Sequence, residues 1–294
     1  MPSRGLLVAL FCCWPTLAAH AALLEVDAVV SPAWIAHEDG TREPVEIGAA
    51  VVQGDRLITG PGARVRLHME AVSAVKLGEN AVFAVERLTA TQRPDETMYR
   101  AGTFDAVRGA FRCTAPLVQK AGGERDLEFR MRRVAVGIRG TADVLGQSDA
   151  TQDLVVLIEG GVAVSGPGGE TVLARPRAAY VAARDGPVPP VRRISENALK
   201  GLAAETEVFA GTGGARRGGR SRVEAMATID ETYARGEHGR LREAGYPAQL
   251  NVVEEEGAMP LYRVDLTQIV GERDARALVQ KLKTLGYPAA RATR

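Results

Sequence analysis

The chain closes on a stretch that is written twice. Arg222-Val223-Glu224-Ala225 aligns with Arg263-Val264-Asp265-Leu266, Ala234 with Ala275, Leu241 with Leu282, and Gly245-Tyr246-Pro247-Ala248 with Gly286-Tyr287-Pro288-Ala289. The offset is constant: 264 − 223 = 41 and 286 − 245 = 41. A fixed period marks one supersecondary unit used twice. Two copies are too few for a solenoid, so the pair is expected to pack on itself as one small domain, residues 222–294.

The periods within each copy say what the unit is. Tyr262 to Thr267 alternates apolar with polar residues, the pattern of a half-buried strand. From Gly271 to Leu285, Ala275, Leu278, Val279, Leu282 and Leu285 fall at spacings of three and four, one face of an amphipathic helix. Gly286 supplies the left-handed stop, Pro288 prevents a restart, and Ala289 to Thr293 is a last short strand. The upstream copy reads the same way from Arg222 through Gly245 to Val253. Gly236 and Gly239 weaken its helix by about 1 kcal/mol each relative to alanine. Two such units predict a four-stranded antiparallel sheet with both helices on one face, an α+β ferredoxin-like (βαβ)2 domain.

Strict alternation turns Val223, Ala225, Val264 and Leu266 toward the helices. It leaves Arg222, Glu224, Arg263, Asp265 and Thr267 on the open face, as groups able to hydrogen-bond sugar hydroxyls. The plainer reading of those residues is a solvated sheet face. The tail resembles the sporulation-related repeat (SPOR) domain, in its second half through Tyr262, Val264, Ala275, Leu282, Gly286 and Tyr287. In the first half Met226 and Thr228 stand where that family usually shows a glycine and an aromatic. The resemblance implies binding of peptidoglycan, in particular glycan strands stripped of their stem peptides, on the helix-free face.

At the other end, Arg4, the apolar run Leu6 to Leu17 and Ala19-His20-Ala21 make an export leader over residues 1–21, with the processed chain starting at Ala22. The leader is too short to anchor, and no later run approaches about 20 apolar residues. Phe11 before Cys12 argues against a lipoprotein. A periplasmic location is expected, the division septum included. Of 37 basic and 36 acidic residues, loss of Arg4 leaves 36 and 36, a balance that argues against nucleic acid as partner. Loss of Cys12 and Cys13 leaves Cys113 as the lone thiol, expected as a small buried hydrophobe beside Phe111.

Residues 22–186 read as an all-β domain, a sandwich or jelly roll or a solenoid-like form, from short strands punctuated by turns about every ten residues. Asp39-Gly40 predicts a hairpin between Ala33–His37 and Arg42–Ile47. Leu154 to Ile158 predicts a strand buried on both faces. Three phrases resemble the FecR domain, a periplasmic all-β module: Gly54-Asp55-Arg56-Leu57-Ile58-Thr59-Gly60, then Val75 to Ala81, then Val136-Gly137-Ile138-Arg139-Gly140-Thr141. Glu70-Ala71-Val72-Ser73 departs from that family's Asp-Gly-Ser turn. For Gly137 and Gly140 the physical expectation is positive φ or close strand approach, with Arg139 clamping a carboxylate between strands. FecR proteins of iron signalling carry a cytoplasmic anti-sigma segment and a membrane span ahead of this domain. Neither is read here, so the resemblance carries the module, as a surface for an envelope protein partner, rather than the signalling.

Residues 187–221 read as the joint: the Pro-rich break at Gly186 to Pro190, a short amphipathic helix from Ser195 to Phe209, and a flexible Gly/Arg tether from Gly211 to Ser221. His37, His68 and His238 are scattered, and no zinc, calcium or nucleophile motif is found. Neither a metal, a cofactor nor a catalytic residue is therefore expected. The expectation is a non-catalytic envelope protein that binds bare glycan with its tail and presents a β module. The alternatives are a trans-envelope signalling module anchored at the wall, or a wall-modifying enzyme.

Overall fold

The computed structural model describes residues 24–69, 73–94, 96, 98–116 and 123–293. The expected leader and the Glu70-Ala71-Val72 stretch lie outside them. Up to residue 193 every described element is a strand: β1 (Leu24–Val30), β2 (Ala33–Ala36), β3 (Arg42–Pro44), β4 (Ala50–Val51), β5 (Arg56–Thr59), β6 (Arg64–Met69), β7 (Ser73–Leu77), β8 (Val82–Gln92), β9 (Met98–Ala115), β10 (Gly123–Arg130), β11 (Ala135–Ile138), β12 (Ala142–Ser148), β13 (Gln152–Gly160), β14 (Val162–Gly166), β15 (Gly169–Leu173), β16 (Ala178–Ala183) and β17 (Arg192–Arg193). The protein is mostly β, and no described helix is long and apolar enough to cross a membrane.

The long strand β9 belongs to two sheets. Its first half pairs with β8 and, in parallel, with β10; its second half pairs with β7 and β12. It turns between them at Gly109, where φ is +92° and a Cβ would lie 2.6 Å from the Ala81 Cα. One sheet therefore runs β16-β13-β12-β9-β7-β6-β1 and the other β3-β2-β5-β8-β9-β10-β11-β14-β15. Their facing sides bury Phe83, Phe104, Phe129 and Phe111, stacked in that order with centroids 5.4, 5.0 and 5.0 Å apart. Rings of this size, removed from water, dominate core energetics. Gly146 gives the stack its room, since a Cβ there would lie 2.2 Å from the Phe111 ring. Cys113 is fully buried in the same core, and burial pushes its thiol up to about 12. The Asp39-Gly40 turn joins β2 to β3, with Gly40 at φ +86°. In β13, Val155, Val156 and Leu157 are buried while Leu154 and Ile158 are half-buried.

The repeat in the tail is visible in the backbone. β19 (Ser221–Thr228), α2 (Glu231–Glu243) and β20 (Gln249–Val253) are followed by β21 (Leu261–Ile269), α3 (Glu272–Thr284) and β22 (Arg291–Thr293), after α1 (Glu196–Ala204) and β18 (Gly214–Arg216). The strands lie in the order β22-β19-β21-β20, all antiparallel. Both long helices end alike: Gly245 and Gly286 adopt φ +82° and +97°, and the following Tyr246 and Tyr287 N–H groups reach back to the carbonyls of Leu241 and Leu282. Those bonds satisfy helix-end carbonyls that would otherwise be orphaned. Leu241, Ala275, Leu278 and Leu282 pack against Val223, Val264 and Leu266 in one core, and Ala234 is also buried.

Residues of the expected joint make contacts with both parts of the chain. Ser195 caps α1, and the chain beyond it lies on the first sheet, where Glu207 pairs with Lys76 at 2.5 Å and Arg112 at 3.0 Å. Next, β18 pairs with β1 through Ala28–Val30 and with β21 at Ile269, stitching the tail to the β module. Gly219, expected to confer freedom, instead accommodates a close contact: a Cβ there would lie 2.0 Å from the Gln268 carbonyl oxygen. The tail docks further through Trp34 Nε1, which donates to the Glu243 carbonyl at 2.9 Å, and through Arg242 to Glu46 at 2.7 Å.

Candidate functional site

The open face of the tail sheet is a charged row in strict cross-strand register. Glu224 on β19 stands opposite Asp265 on β21, with Arg291 on β22 flanking the first and Gln249 on β20 the second. Two carboxylates facing each other at 5% and 1% exposure repel and are costly to bury unless compensated. Arginines supply the compensation. Arg291 Nη2 lies 2.8 Å and Arg263 Nε 3.6 Å from the Glu224 carboxylate, and Arg222 Nη1 lies 3.7 Å from Asp265 Oδ2. Asn251 Nδ2 donates to the same Asp265 oxygen at 3.0 Å.

The carboxylates are thus a floor, and the guanidiniums are what solvent meets: the Arg291, Arg222 and Arg263 side chains are 64, 47 and 37% exposed. Three cations over two anions leave the face with one net positive charge. Glu224 and Asp265, expected to reach for sugar themselves, are already engaged by these arginines and by Asn251. Thr267 sits at the border of the face, in a cleft of about 50 Å³ shared with Gln249, Glu46 and Ile47.

The β19–β21 register shifts twice, between Ser221 and Val223 and between Glu224 and Met226; at the second shift Ala225 is the extra residue of a bulge and Met226 packs against the core. Arg291 was not foreseen. The signal for it was available in the alternation of the last strand, which pairs with Val223 and so inherits its faces.

In the β module, Gly54 has φ +93°, and Asp55 is 3% exposed with Oδ2 accepting from Val52 N at 2.9 Å and Oδ1 lying 2.8 Å from His37 Nδ1. The Gly137 to Thr141 phrase behaves differently from expectation. Neither Gly137 nor Gly140 has positive φ, and a Cβ would meet only Ala163 at 4.0 Å at the first and nothing within 4 Å at the second. Arg139 is 86% exposed and 3.3 Å from Asp126, a surface pair rather than a clamp. The crowded glycine is Gly160, at φ +80° and 2.0 Å from the Thr141 carbonyl oxygen. Gly137 and Gly140 instead leave bare the floor of an open trough of about 480 Å³ walled by Asp126, Glu128, Arg139 and Val172.

Among the described residues no group of three or more His, Cys, Asp or Glu is placed to hold a metal ion. The sequence matches no protein-family model and no curated protein. Two crystal structures of a candidate anti-sigma factor from Parabacteroides distasonis ATCC 8503 overlay weakly. One is 14% identical with a TM-score of 0.39, covering 49% of this chain and 62% of that one. The other is 12% identical with a TM-score of 0.39, covering 78% and 90%. Likeness at that level carries no argument about fold or function.

Proposed function

We propose that the protein binds carbohydrate without turning it over, on the open face of its tail sheet, and that its ligand class is the bare glycan strand of peptidoglycan. The observation that carries this reading is the braced arginine layer: Arg222, Arg263 and Arg291 fanned over the buried Glu224 and Asp265. Guanidiniums held in place by carboxylates lose less freedom on binding, and their forked donors suit vicinal hydroxyls and carboxylates. The order β22-β19-β21-β20 supports a ferredoxin-like, SPOR-type reading of the tail. The β module, on a FecR-type reading, is the part a protein partner would meet, and β18 pairs with β1 of the module and with β21 of the tail. An exported, periplasmic location belongs to the same proposal.

Sedimentation of the full chain with purified sacculi, before and after amidase treatment, tests it. Wild type should co-sediment, more so with amidase-treated sacculi. R263A/R291A, with unchanged circular dichroism, should bind about tenfold more weakly. Wild type left in the supernatant, or a variant that sediments equally, would reject the reading.

A further inference from the structure

A hollow of about 570 Å³ opens on the outer face of β1, where the β module meets β18, and every residue lining it is ionisable: Glu25, Asp27, Arg66, His68, Arg216 and Arg217. Three strands bring these side chains together. Arg66 on β6 and Arg216 on β18 both stand opposite Ala28 of β1, one on each side, so their Cα atoms lie roughly 10 Å apart, two strand spacings. Ala215, paired with Val29 and Ile269, is buried, which sends its neighbour Arg216 to the outer side. Asp27 is the extra residue of a bulge between Val26 and Ala28, an irregularity that re-aims a side chain. Two of the guanidiniums are braced: Arg66 Nε lies 2.5 Å from Asp27 Oδ1, and Arg217 Nη2 pairs with Glu25. The third, Arg216, is exposed.

Three guanidiniums against two carboxylates leave the hollow with one net positive charge, and a concave wall concentrates the field of that charge in one volume. The volume falls within the range of small-molecule pockets, about 300–1,000 Å³, so it holds more than a bare ion. A lining with no apolar residue suits a hydroxyl-rich body, whose oxygens find donors and acceptors at every wall. We propose that this hollow binds a small anionic sugar, its phosphate or carboxylate group held between Arg216 and Arg66, with Asp27 fixing Arg66 and Arg217 adding charge. Guanidinium recognises such groups bidentately, which a point charge does not reproduce. The site is built by β1, β6 and β18, apart from Arg222, Arg263 and Arg291, and does not rest on the glycan reading of the tail.

Calorimetric titration of the full chain with α-glucosyl phosphate, glucuronate, glucose and sodium chloride at matched ionic strength tests the site. Wild type should bind one or both anionic sugars saturably and neither glucose nor chloride, and the tighter of the two tells whether the seat takes a phosphate or a carboxylate. R216Q alters an exposed side chain, so its circular dichroism should match wild type while binding weakens by about tenfold. R216K, which keeps the charge and loses the fork, should fall between the two. R263A/R291A, altered only on the tail's open face, should bind these probes like wild type. No binding of either anionic sugar by wild type, equal binding by R216Q, or binding lost in R263A/R291A would overturn the site.

Discussion

Asp274 Oδ1 accepts the backbone N–H of Gly213 at 3.1 Å, and the N–H groups of Gly211, Thr212 and Gly214 converge on the same oxygen at 3.0, 3.1 and 3.1 Å. Four successive amides closing on one carboxylate form a nest of the kind that binds free anions, here filled from within by the first turn of α3. The carboxylate is 3% exposed and ties the segment crossing from the β module to the tail. D274A leaves those amides without their acceptor, and the expected loss is about 3 kcal/mol, since charge-assisted bonds to a buried group are the strong kind. Urea midpoints of wild type and D274A measure it. A loss below about 1 kcal/mol would mean water takes over the nest.

Gly245 and Gly286 close equivalent helices, yet only the first touches the β module. A Cβ on Gly245 would lie 2.6 Å from the Trp34 ring, and its carbonyl accepts the Ala33 N–H at 3.1 Å; at Gly286 the nearest atom is Arg240 Nη2 at 3.9 Å. G286A should therefore cost only the left-handed backbone penalty of about 1 kcal/mol. G245A adds overpacking, about 2 kcal/mol more. Trp34 is the only tryptophan among the described residues, so its emission should shift in G245A and stay put in G286A. Equal effects would mean the docking contact is slack.

The particular residues show what could be read from the sequence. The repeat, both helix stops and the β-rich module follow from periodicity and turn chemistry, which are local. What escaped is non-local. Asp274 in a first helical turn reads as an ordinary dipole-favouring acid, and nothing in its surroundings points to amides some 60 positions upstream. The Gly211 to Ser221 stretch reads as flexible because glycine removes a side chain for two opposite reasons, freedom or lack of room, and Gly219 against Gln268 is the second. On the open face, alternation brings Arg222, Glu224, Arg263 and Asp265 together and leaves Thr267 at the border. It could not say that Glu224 and Asp265 would face each other and so require arginines, because that depends on register.

Cys113 makes a direct probe of global opening. Fully buried, with its thiol held near 12, it has almost no thiolate at neutral pH. In a chain beginning at Ala22, a thiol reagent should label it only at the rate of unfolding, and the labelling rate should rise with urea in step with loss of circular dichroism. Rapid labelling of the native protein would show that the strands around it open locally.

His37 gives the module a defined pH slope. Its Nδ1 lies 2.8 Å from the buried Asp55 and its Nε2 3.4 Å from Glu43. The hydrogen bond to Asp55 is the chief reason its pKa is raised above 6.5, with burial opposing and Glu43 assisting. A group whose folded pKa is raised stabilises in its protonated form, so this contribution is fully present below 6.5 and is lost as pH climbs through the raised folded value. Replacement by glutamine removes the titration and leaves the neighbours in place. Wild type should therefore exceed H37Q in stability by more at about pH 5.5 than at about pH 8, read from urea midpoints at each. Parallel pH profiles for the two chains would show that the imidazole is not held by Asp55 in solution.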